Sequence, residues 1–437
     1  MTSLLIRGAN ILGQEVGDIA ISDGRFVDPA SLTSPDEVID ATGLIALPGL
    51  VDLHTHLREP GREDAETVLT GSQSAARGGF TAVHAMANTA PVADTAGVVE
   101  QVYHLGREAG YTEVVPIGAV TVGQKGTQLA ELGAMARSAA GVTIFSDDGL
   151  CVFDPLIMRR ALEYVKTFGG VIAQHSQEPR LTEDAQMNEG VVSAELGLPG
   201  WPAVAEEAII ARDILLAEHV GSRLHICHLS TKGAVDLVRW AKSRGVQVTA
   251  EVTPHHLMLT DELVRSFDPV YKVNPPLRTQ ADVDAVRAGL ADGTIDIIGT
   301  DHAPHPSEHK CCEWTAAAMG MVGMESALPI VVEAMADYDF DWADIARVMS
   351  TTPARISGLR EQGSLEIGTG ANLVLVDPEA ADRITPDAHA TMGRNNPFAG
   401  IEVSSRIVHT ILYGHRVVTD SQLSDPHPIT RGGTWIA

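Results

Sequence analysis

The sequence predicts a mixed α/β fold whose main part is a (β/α)8, TIM-type barrel. Between residues 51 and 355, short apolar segments alternate with longer segments of helical periodicity. Repeated strand-then-helix units indicate a parallel sheet, and about eight such units in about 300 residues favour a closed barrel over an open sheet. No GxGxxG or P-loop motif is present to indicate a nucleotide-binding sheet instead.

Individual segments show this alternation clearly. The strand-like VDLHTH at 51–56 precedes the helix-like ETVLTGSQSAARGG at 66–79, and the strand-like FTAVHAM follows at 80–86. Later, RLHICHLS at 223–230 precedes GAVDLVRWAKSRG at 233–245, whose apolar residues recur at helical spacing. We therefore assign residues 51–355 to the barrel.

The two ends of the chain have a different pattern, that of short strands and tight turns. Asp23-Gly24 lies between two apolar runs, and Tyr413-Gly414 interrupts another near the end of the chain. We expect residues 1–50 and 356–437 to form one small β-sandwich-like domain. Two separate β-rich excursions are the alternative that the pattern leaves open.

Composition and charge exclude several classes of protein. The formal net charge of −26 argues against a nucleic-acid-binding protein, which would need a basic face. No uncharged apolar run approaches the roughly 18 residues of a membrane span, and Arg7 interrupts the first apolar run too early for a signal peptide. The four cysteines form no C-x-x-C pair, which indicates reduced thiols. We expect a cytoplasmic protein that does not bind membranes.

His54 and His56 are the sharpest local signal of chemistry. Residues two apart in a strand face the same side, so both imidazoles would point one way at the end of VDLHTH. A surface strand could carry an H-x-H pair by chance, so this motif alone leaves metal binding open.

Other candidate ligands end other predicted strands. Barrel active sites are built at the carboxyl ends of several strands, and imidazole with carboxylate suits Zn²⁺. The candidates at these positions are His175 after GGVIAQ, His228 after RLHIC, Asp301 after IDIIGT, and the pair Asp147-Asp148 after GVTIFS. Such coincident placement predicts a metal site and outweighs the alternative of unrelated core histidines.

Eight stretches spread along nearly the whole sequence carry a family resemblance: GLVDLHTHLREPG, AMANTAP, FSDDG, HSQE, HICHLST, EVTPHHL, KVNPPLR and GTDHAPH. Together they resemble the class I dihydroorotases of the amidohydrolase superfamily. The H-x-H segment is shared by many members of the superfamily, whereas HLREPG together with KVNPPLR and TDHAPH is much more specific.

The resemblance implies two zinc ions per chain, bridged by a hydroxide and by a carboxylate. His54, His56 and Asp301 would bind one zinc, and His175 and His228 the other. Asp148 would be the bridging ligand, although Asp147 fits the local chemistry almost as well. Asp301 would also be the catalytic acid–base group, and the role of a ligand alone is the alternative.

The family's activity is the reversible cyclisation of N-carbamoyl-L-aspartate to (S)-dihydroorotate and water in pyrimidine biosynthesis. The positions that match its substrate-binding residues are Arg58, Asn88, Asn274, His305, Met319 and Gly320. Arg58 would grip the substrate carboxylate, and a salt bridge to Glu59 or Glu63 is its alternative role. Met319 departs from the Phe-Gly pair of the family's pattern.

Two other functions remain as alternatives. A dihydropyrimidinase, hydantoinase or allantoinase would bridge its metals with a carbamylated lysine, whereas FSDDG has no lysine at that place. A non-catalytic dihydroorotase-like subunit of an aspartate transcarbamoylase complex would lack metal ligands, whereas all six are present here. The resemblance is compatible with a homodimer and with an association with aspartate transcarbamoylase.

Overall fold

The computed structural model describes residues 3–427 and Ile429. Within these residues strands and helices alternate along the middle of the chain, so the mixed α/β class predicted from the sequence is confirmed. Residues 1–2, 428 and 430–437, which belong to the predicted terminal domain, lie outside the described residues.

The middle of the chain contributes eight parallel strands among the described residues. They are Leu50–Thr55, Phe80–Ala85, Glu113–Pro116, Ile144–Phe145, Val171–Gln174, Arg223–Ile226, Val248–Val252 and Ile297–Ile298. The first three form one sheet and the last five another. Parallel bridges join the two sheets at both sides, from Gly118 to Phe145 and from Thr55 to His302. All eight carboxyl ends therefore meet at one edge.

Apolar side chains hold these strands together. Val51, Leu53, Ile144, Val171 and Ile297 belong to one buried cluster, and none is more than 2% exposed. Burying each such side chain contributes about 1.5–3 kcal/mol, so the cluster fixes the relative positions of the strands whose ends carry the polar residues.

Helices connect and cover the strands. In Pro155–Lys166, Asp154 caps the first turn by accepting hydrogen bonds from two backbone N–H groups, and proline opens the helix at a position that needs no N–H donor. The other α-helices are Val68–Arg77, Ala96–Ala109, Leu132–Ala136, Val191–Leu196, Val204–Val220, Lys232–Ser243, Pro254–Met258, Gln280–Ala291, Ser307–Lys310, Ala327–Ala334, Trp342–Ala346 and Thr352–Ser357.

Both ends of the chain contribute to one further sheet of nine strands among the described residues. Its strands are Leu4–Ile11, Glu15–Ser22, Arg25–Val27, Glu37–Asp40, Ile45–Pro48, Leu373–Asp377, Arg406–Leu412, His415–Thr419 and Gln422–Leu423. Ile45–Pro48 pairs antiparallel with Leu373–Asp377, which joins the amino-terminal strands to the carboxy-terminal ones. Two short strand pairs complete the fold, Met187–Asn188 with Gly200–Trp201 and Asp382–Arg383 with Glu402–Val403.

The two predicted tight turns are confirmed. Asp23 and Gly24 have φ of 55° and 75° between paired antiparallel strands, and Tyr413 and Gly414 have φ of 47° and 82° in an equivalent place. Positive φ at both central residues is the geometry that matches the twist of a two-residue hairpin.

Two observations concern the environment of the chain. All four cysteines, Cys151, Cys227, Cys311 and Cys312, are free thiols, as the sequence predicts. Among the described residues, no helix combines the length and apolar character needed to cross a bilayer.

Candidate functional site

A buried carboxylate, that of Asp148, lies where the ends of the parallel strands converge. His54 Nε2 lies 3.4 Å from Asp148 Oδ1, and His56 Nε2 lies 3.3 Å from Asp148 Oδ2. His175 Nδ1 and His228 Nε2 each lie 3.3 Å from Asp148 Oδ1. The structure thus brings together four histidines and one carboxylate that the sequence placed at the ends of four strands.

Asp301 completes this cluster. Its Oδ1 lies 3.1 Å from His56 Nε2 and 3.5 Å from His54 Nε2. Burial raises the pKa of the Asp301 carboxyl, but the charges of the two histidines outweigh burial and lower this pKa to about 2. Asp301 and His228 also have φ of 47° and 31°, an uncommon left-handed conformation for residues other than glycine. Such strain is found at sites where the surrounding structure enforces it.

The second ring nitrogen of each histidine determines which nitrogen faces the cluster. His56 Nδ1 lies 2.9 Å from Asn88 Oδ1, and His175 Nε2 lies 2.8 Å from Gln177 Oε1. Because an amide oxygen only accepts hydrogen bonds, these nitrogens carry the protons and donate them. His56 Nε2 and His175 Nδ1 are therefore the nitrogens that face Asp148, and in the neutral rings they present the lone pairs that metal ligands need.

Glu251, inside one of the parallel strands, fixes the remaining two histidines. Its Oε1 accepts a hydrogen bond from His54 Nδ1 and another, at 3.1 Å, from the backbone N–H of His228. Its Oε2 lies 3.1 Å from His225 Nε2. Burial raises the pKa of the Glu251 carboxyl, but His54 and His225 hold this pKa well below its usual range. The carboxylate therefore stays charged and orients His54.

Glu251 and His225 are residues of the site that the sequence analysis did not identify. The one sequence signal for Glu251 is an acidic residue inside a predicted strand, at the start of the stretch EVTPHHL. Gly299 carries a related signal, because a β-carbon there would lie 2.5 Å from Glu251 Oε2. Only the pairing of neighbouring strands shows that these residues meet.

The structure distinguishes the two adjacent aspartates. Asp147 Oδ1 accepts hydrogen bonds from the backbone N–H groups of Val120, at 2.8 Å, and Thr121, at 3.0 Å, and Oδ2 accepts one from the Thr121 hydroxyl. Both oxygens of the Asp147 carboxylate are thus hydrogen-bonded to the loop that contains Val120 and Thr121. Asp148 is the aspartate of the pair whose carboxylate faces the histidines.

The donor set fits two metal ions that share one ligand. Two groups, His54–His56–Asp148 and His175–His228–Asp148, each have ligand atoms within 4.8 Å of one another. His54 Nε2 and Asp148 Oδ1 are buried and have no hydrogen-bond partner among the described residues. Burying unpaired polar atoms is costly, and a bound cation between them removes that cost. Imidazole and carboxylate are ligands typical of zinc.

Arg58 lies beside this cluster and is 6% exposed. Its Nε donates to Pro304 O at 3.1 Å, and no carboxylate within the described residues lies close enough, 4.0 Å, to pair with it. The two alternative partners are engaged elsewhere, since Glu59 accepts from the N–H of Val68 and Glu63 from the N–H of Gly61. A buried guanidinium without a carboxylate partner is suited to an anionic ligand.

Asn274 and His305 each carry a buried acceptor atom with no hydrogen-bond partner among the described residues. Asn274 Nδ2 donates to Gln177 Oε1 at 3.1 Å, while its Oδ1 has no partner among the described residues. His305 Nε2 donates to Met319 O at 2.9 Å, and its Nδ1 likewise has no partner there. Burial, then the charge of Arg58, lowers the pKa of His305 to about 3, so Nδ1 of the neutral ring is an acceptor.

Met319 holds His305 through its backbone carbonyl, and Gly320 leaves room for the His305 ring because it has no side chain. A β-carbon at Gly320, whose φ is 144°, would lie 2.7 Å from His305 Nε2. The Met319 side chain packs against Trp201, Ala185 and Ala205. Methionine in place of phenylalanine therefore changes a packing contact. The Met319 carbonyl, which any residue would supply, accepts the hydrogen bond from His305.

Comparisons with known proteins show which family the chain resembles. The profile of the family described as Dihydro-orotase-like matches residues 43–234, and that of the Amidohydrolase family matches residues 185–418. A dihydroorotase from Streptomyces coelicolor is 64% identical over 97% of this chain and 100% of its own length. Those from Leifsonia xyli and Mycobacterium tuberculosis are 61% and 52% identical over 98% and 96% of this chain, and over 99% of their own lengths.

The chain belongs to the dihydroorotase family.

Solved structures of other amidohydrolases share the fold of this dihydroorotase-family chain. L-Hydantoinase (dihydropyrimidinase) from Arthrobacter aurescens has a TM-score of 0.87 at 23% identity, covering 98% of both chains. A dihydropyrimidinase from Brevibacillus agri has a TM-score of 0.84 at 22% identity, covering 100% of both. The TM-scores show a common fold. Sequence identity this low carries no argument about the substrate.

The contacts of Glu251 generate the first prediction for this family member. Replacing Glu251 with Gln removes the charge that orients His54, so zinc affinity measured by competition with a chelator should fall about 10–100-fold. Glu113→Gln is the matched control, because Glu113 is also buried on a parallel strand but binds Gln362 and Tyr413. Equal affinities in the two variants would contradict the role assigned to Glu251.

Proposed function

We propose that this chain catalyses the reversible hydrolysis of (S)-dihydroorotate to N-carbamoyl-L-aspartate. The observation that carries the proposal is a buried Arg58, without a carboxylate partner among the described residues, beside two His/Asp groups that share Asp148. The His/Asp groups suit metal-assisted opening of a cyclic amide, and Arg58 suits a substrate that carries a carboxylate. The relatives named dihydroorotase support the same substrate.

Zinc is the proposed cofactor, with two ions per chain. His54, His56 and Asp301 would hold one ion, His175 and His228 the other, and Asp148 would be shared by both. When bound, zinc polarises carbonyl oxygens and lowers the pKa of water from about 15.7 to about 7.

Asp301 is the proposed proton carrier of the reaction. As the oxygen of a water molecule bonds to the carbonyl carbon of the ring amide, Asp301 Oδ1 takes one of the two water protons. Asp301 then delivers this proton to the ring nitrogen while the C–N bond breaks. The second proton of the water is released to solvent, which leaves a carboxylate and a free carbamoyl group. The reverse reaction consumes a proton, so ring closure is favoured as the pH falls.

Recognition of the substrate is divided among donors and acceptors. Arg58 would hold the substrate carboxylate through its planar guanidinium, and Asn88 would add its Nδ2, since its Oδ1 already accepts from His56. We assign His305 Nδ1 and Asn274 Oδ1, both acceptors, to the N–H groups of the ring. We propose that the neutral His305 ring, whose Nε2 donates to Met319 O, uses Nδ1 as an acceptor for the substrate ring rather than as a donor to the substrate carboxylate.

The finer architecture belongs to the same proposal. We propose that the eight parallel strands form a closed (β/α)8 barrel over residues 51–355, supported by the bridges from Gly118 to Phe145 and from Thr55 to His302. The sheet shared by both ends of the chain supports a composite domain of residues 1–50 and 356–437. A β-sandwich-like form of that domain, a cytoplasmic location, a homodimer and an association with aspartate transcarbamoylase stay predictions.

The specificity of the enzyme tests the proposed substrate. Dihydrouracil has the same ring without the carboxylate and would leave Arg58 buried and unpaired, so kcat/KM should favour dihydroorotate by roughly 10⁴ or more. Arg58→Met should raise KM for dihydroorotate, because the loss of the pair with the substrate carboxylate costs on the order of 2–4 kcal/mol of binding free energy. The ratio of kcat/KM between dihydroorotate and dihydrouracil should therefore become smaller. The control is Arg25→Met, which removes an arginine paired with Glu361 in the terminal sheet. Comparable turnover of both rings by the unaltered enzyme would favour a dihydropyrimidinase.

Asp301→Asn tests the proton carrier. An amide cannot take the proton, so kcat should fall by about 10²–10⁴. Zinc content is measured on the same preparation, because Asp301 is also a proposed ligand. A variant that keeps its zinc and more than a tenth of the wild-type kcat would rule out the carrier role.

A further inference from the structure

Two buried lysines lie outside the metal cluster, in the loops that carry the substrate-binding residues. Lys310, at the end of the helix Ser307–Lys310, is 8% exposed, and Lys272 is 3% exposed. Within the described residues neither has a carboxylate within the 4.0 Å of an ion pair. Burying an ammonium without a counter-charge is costly unless its protons are all used.

Backbone carbonyls satisfy the Lys310 ammonium completely. Its Nζ donates to Ala318 O at 2.9 Å, Gly320 O at 3.0 Å and Lys272 O at 3.2 Å. An ammonium has three protons, so these three carbonyls use them all. The first two carbonyls flank Met319, whose own carbonyl accepts from His305.

Lys272 completes the connection from the other side. Its Nζ donates to Trp314 O at 2.7 Å and to Thr315 O at 3.2 Å, and it lies 5.9 Å from the centre of the Trp314 ring. Its carbonyl accepts from Lys310 and from the N–H of Gly320, at 3.0 Å. Lys310 thus binds the backbone of Lys272, and Lys272 binds the backbone of the segment that follows Lys310.

The connected segments are those that carry the proposed acceptors for the substrate. Lys272 lies two residues before Asn274, and the carbonyls bound by Lys310 lie on either side of the residue that holds His305. A displacement of about 1 Å in such positions can cost about 10²-fold in activity. No metal ligand is among the groups that either ammonium contacts.

We propose that Lys310 and Lys272 are positioning residues that lock the two substrate-binding loops together, so that Asn274 and His305 are pre-arranged for the ring of the substrate. This inference rests on the proposed function for the identity of the substrate.

Lys310→Met tests the proposal, because methionine has a similar length and no charge. KM for dihydroorotate should rise about 10-fold or more, while kcat changes less than about threefold and zinc content stays at the wild-type value. Amide hydrogen exchange at Ala318 and Gly320 should be faster than in the wild type. The matched control is Lys166→Met, since Lys166 also donates to a carbonyl, Val220 O, but lies exposed at the end of another helix.

A second variant keeps the test decisive if Lys310→Met does not fold. Lys272→Met removes the contacts to Trp314 O and Thr315 O and should raise KM in the same direction. In the double variant the rise should be smaller than the product of the two single effects, because both lysines hold the same loops.

Three results would overturn the proposal. They are an unchanged KM in folded Lys310→Met and Lys272→Met, an equal rise in Lys166→Met, and multiplicative effects in the double variant. Amide hydrogen exchange distinguishes a failure of this proposal from a failure of the proposed function. If the wild-type enzyme does not turn over dihydroorotate, exchange at Ala318 and Gly320 still reports whether the lysines lock the loops.

Discussion

The Asp148 carboxylate, 3% exposed, lies within 3.4 Å of ring nitrogens from four histidines that the chain brings from three other strands. A charge in this position is tolerated only if opposite charge or a cation compensates it. Burial raises the pKa of Asp148, but the imidazoles, His54 first, hold it well below its usual range. The histidines must therefore face this carboxylate, and the rest of the site follows from that requirement.

A second layer of acceptors keeps the imidazoles in place. Glu251, Asn88 and Gln177 each accept a hydrogen bond from the ring nitrogen that faces away from Asp148. Gln177 also accepts a hydrogen bond from Asn274 Nδ2, so the same amide contacts both a histidine of the cluster and a residue that we propose to bind the substrate.

Much of this arrangement could be predicted from the sequence. His54 and His56 have the spacing of one face of a strand, and the other ligands end apolar segments, so strand periodicity alone brings them to one edge. The terminal hairpins could be predicted because Asp23-Gly24 and Tyr413-Gly414 have a strong local preference for the turn.

Other features depend on contacts between distant segments. Asp147 and Asp148 have the same chemistry, and the turn after Phe145 decides which of them faces the histidines. Glu251 meets His54 across the fold, although their strands are not paired with each other and the two residues are 197 apart along the chain. No local pattern shows whether an acidic residue inside a strand points toward a site or is paired elsewhere.

The zinc content of purified wild-type enzyme, Asp148→Asn and Asp147→Asn tests most directly the claim that two ions share the Asp148 carboxylate. We expect two zinc ions per chain in the wild type and in Asp147→Asn, because the Asp147 carboxylate holds a loop. We expect Asp148→Asn to lose at least one ion and the hydrolysis of dihydroorotate. Two tightly held ions in folded Asp148→Asn, or fewer than two in the wild type after reconstitution with zinc, would contradict the shared-ligand claim.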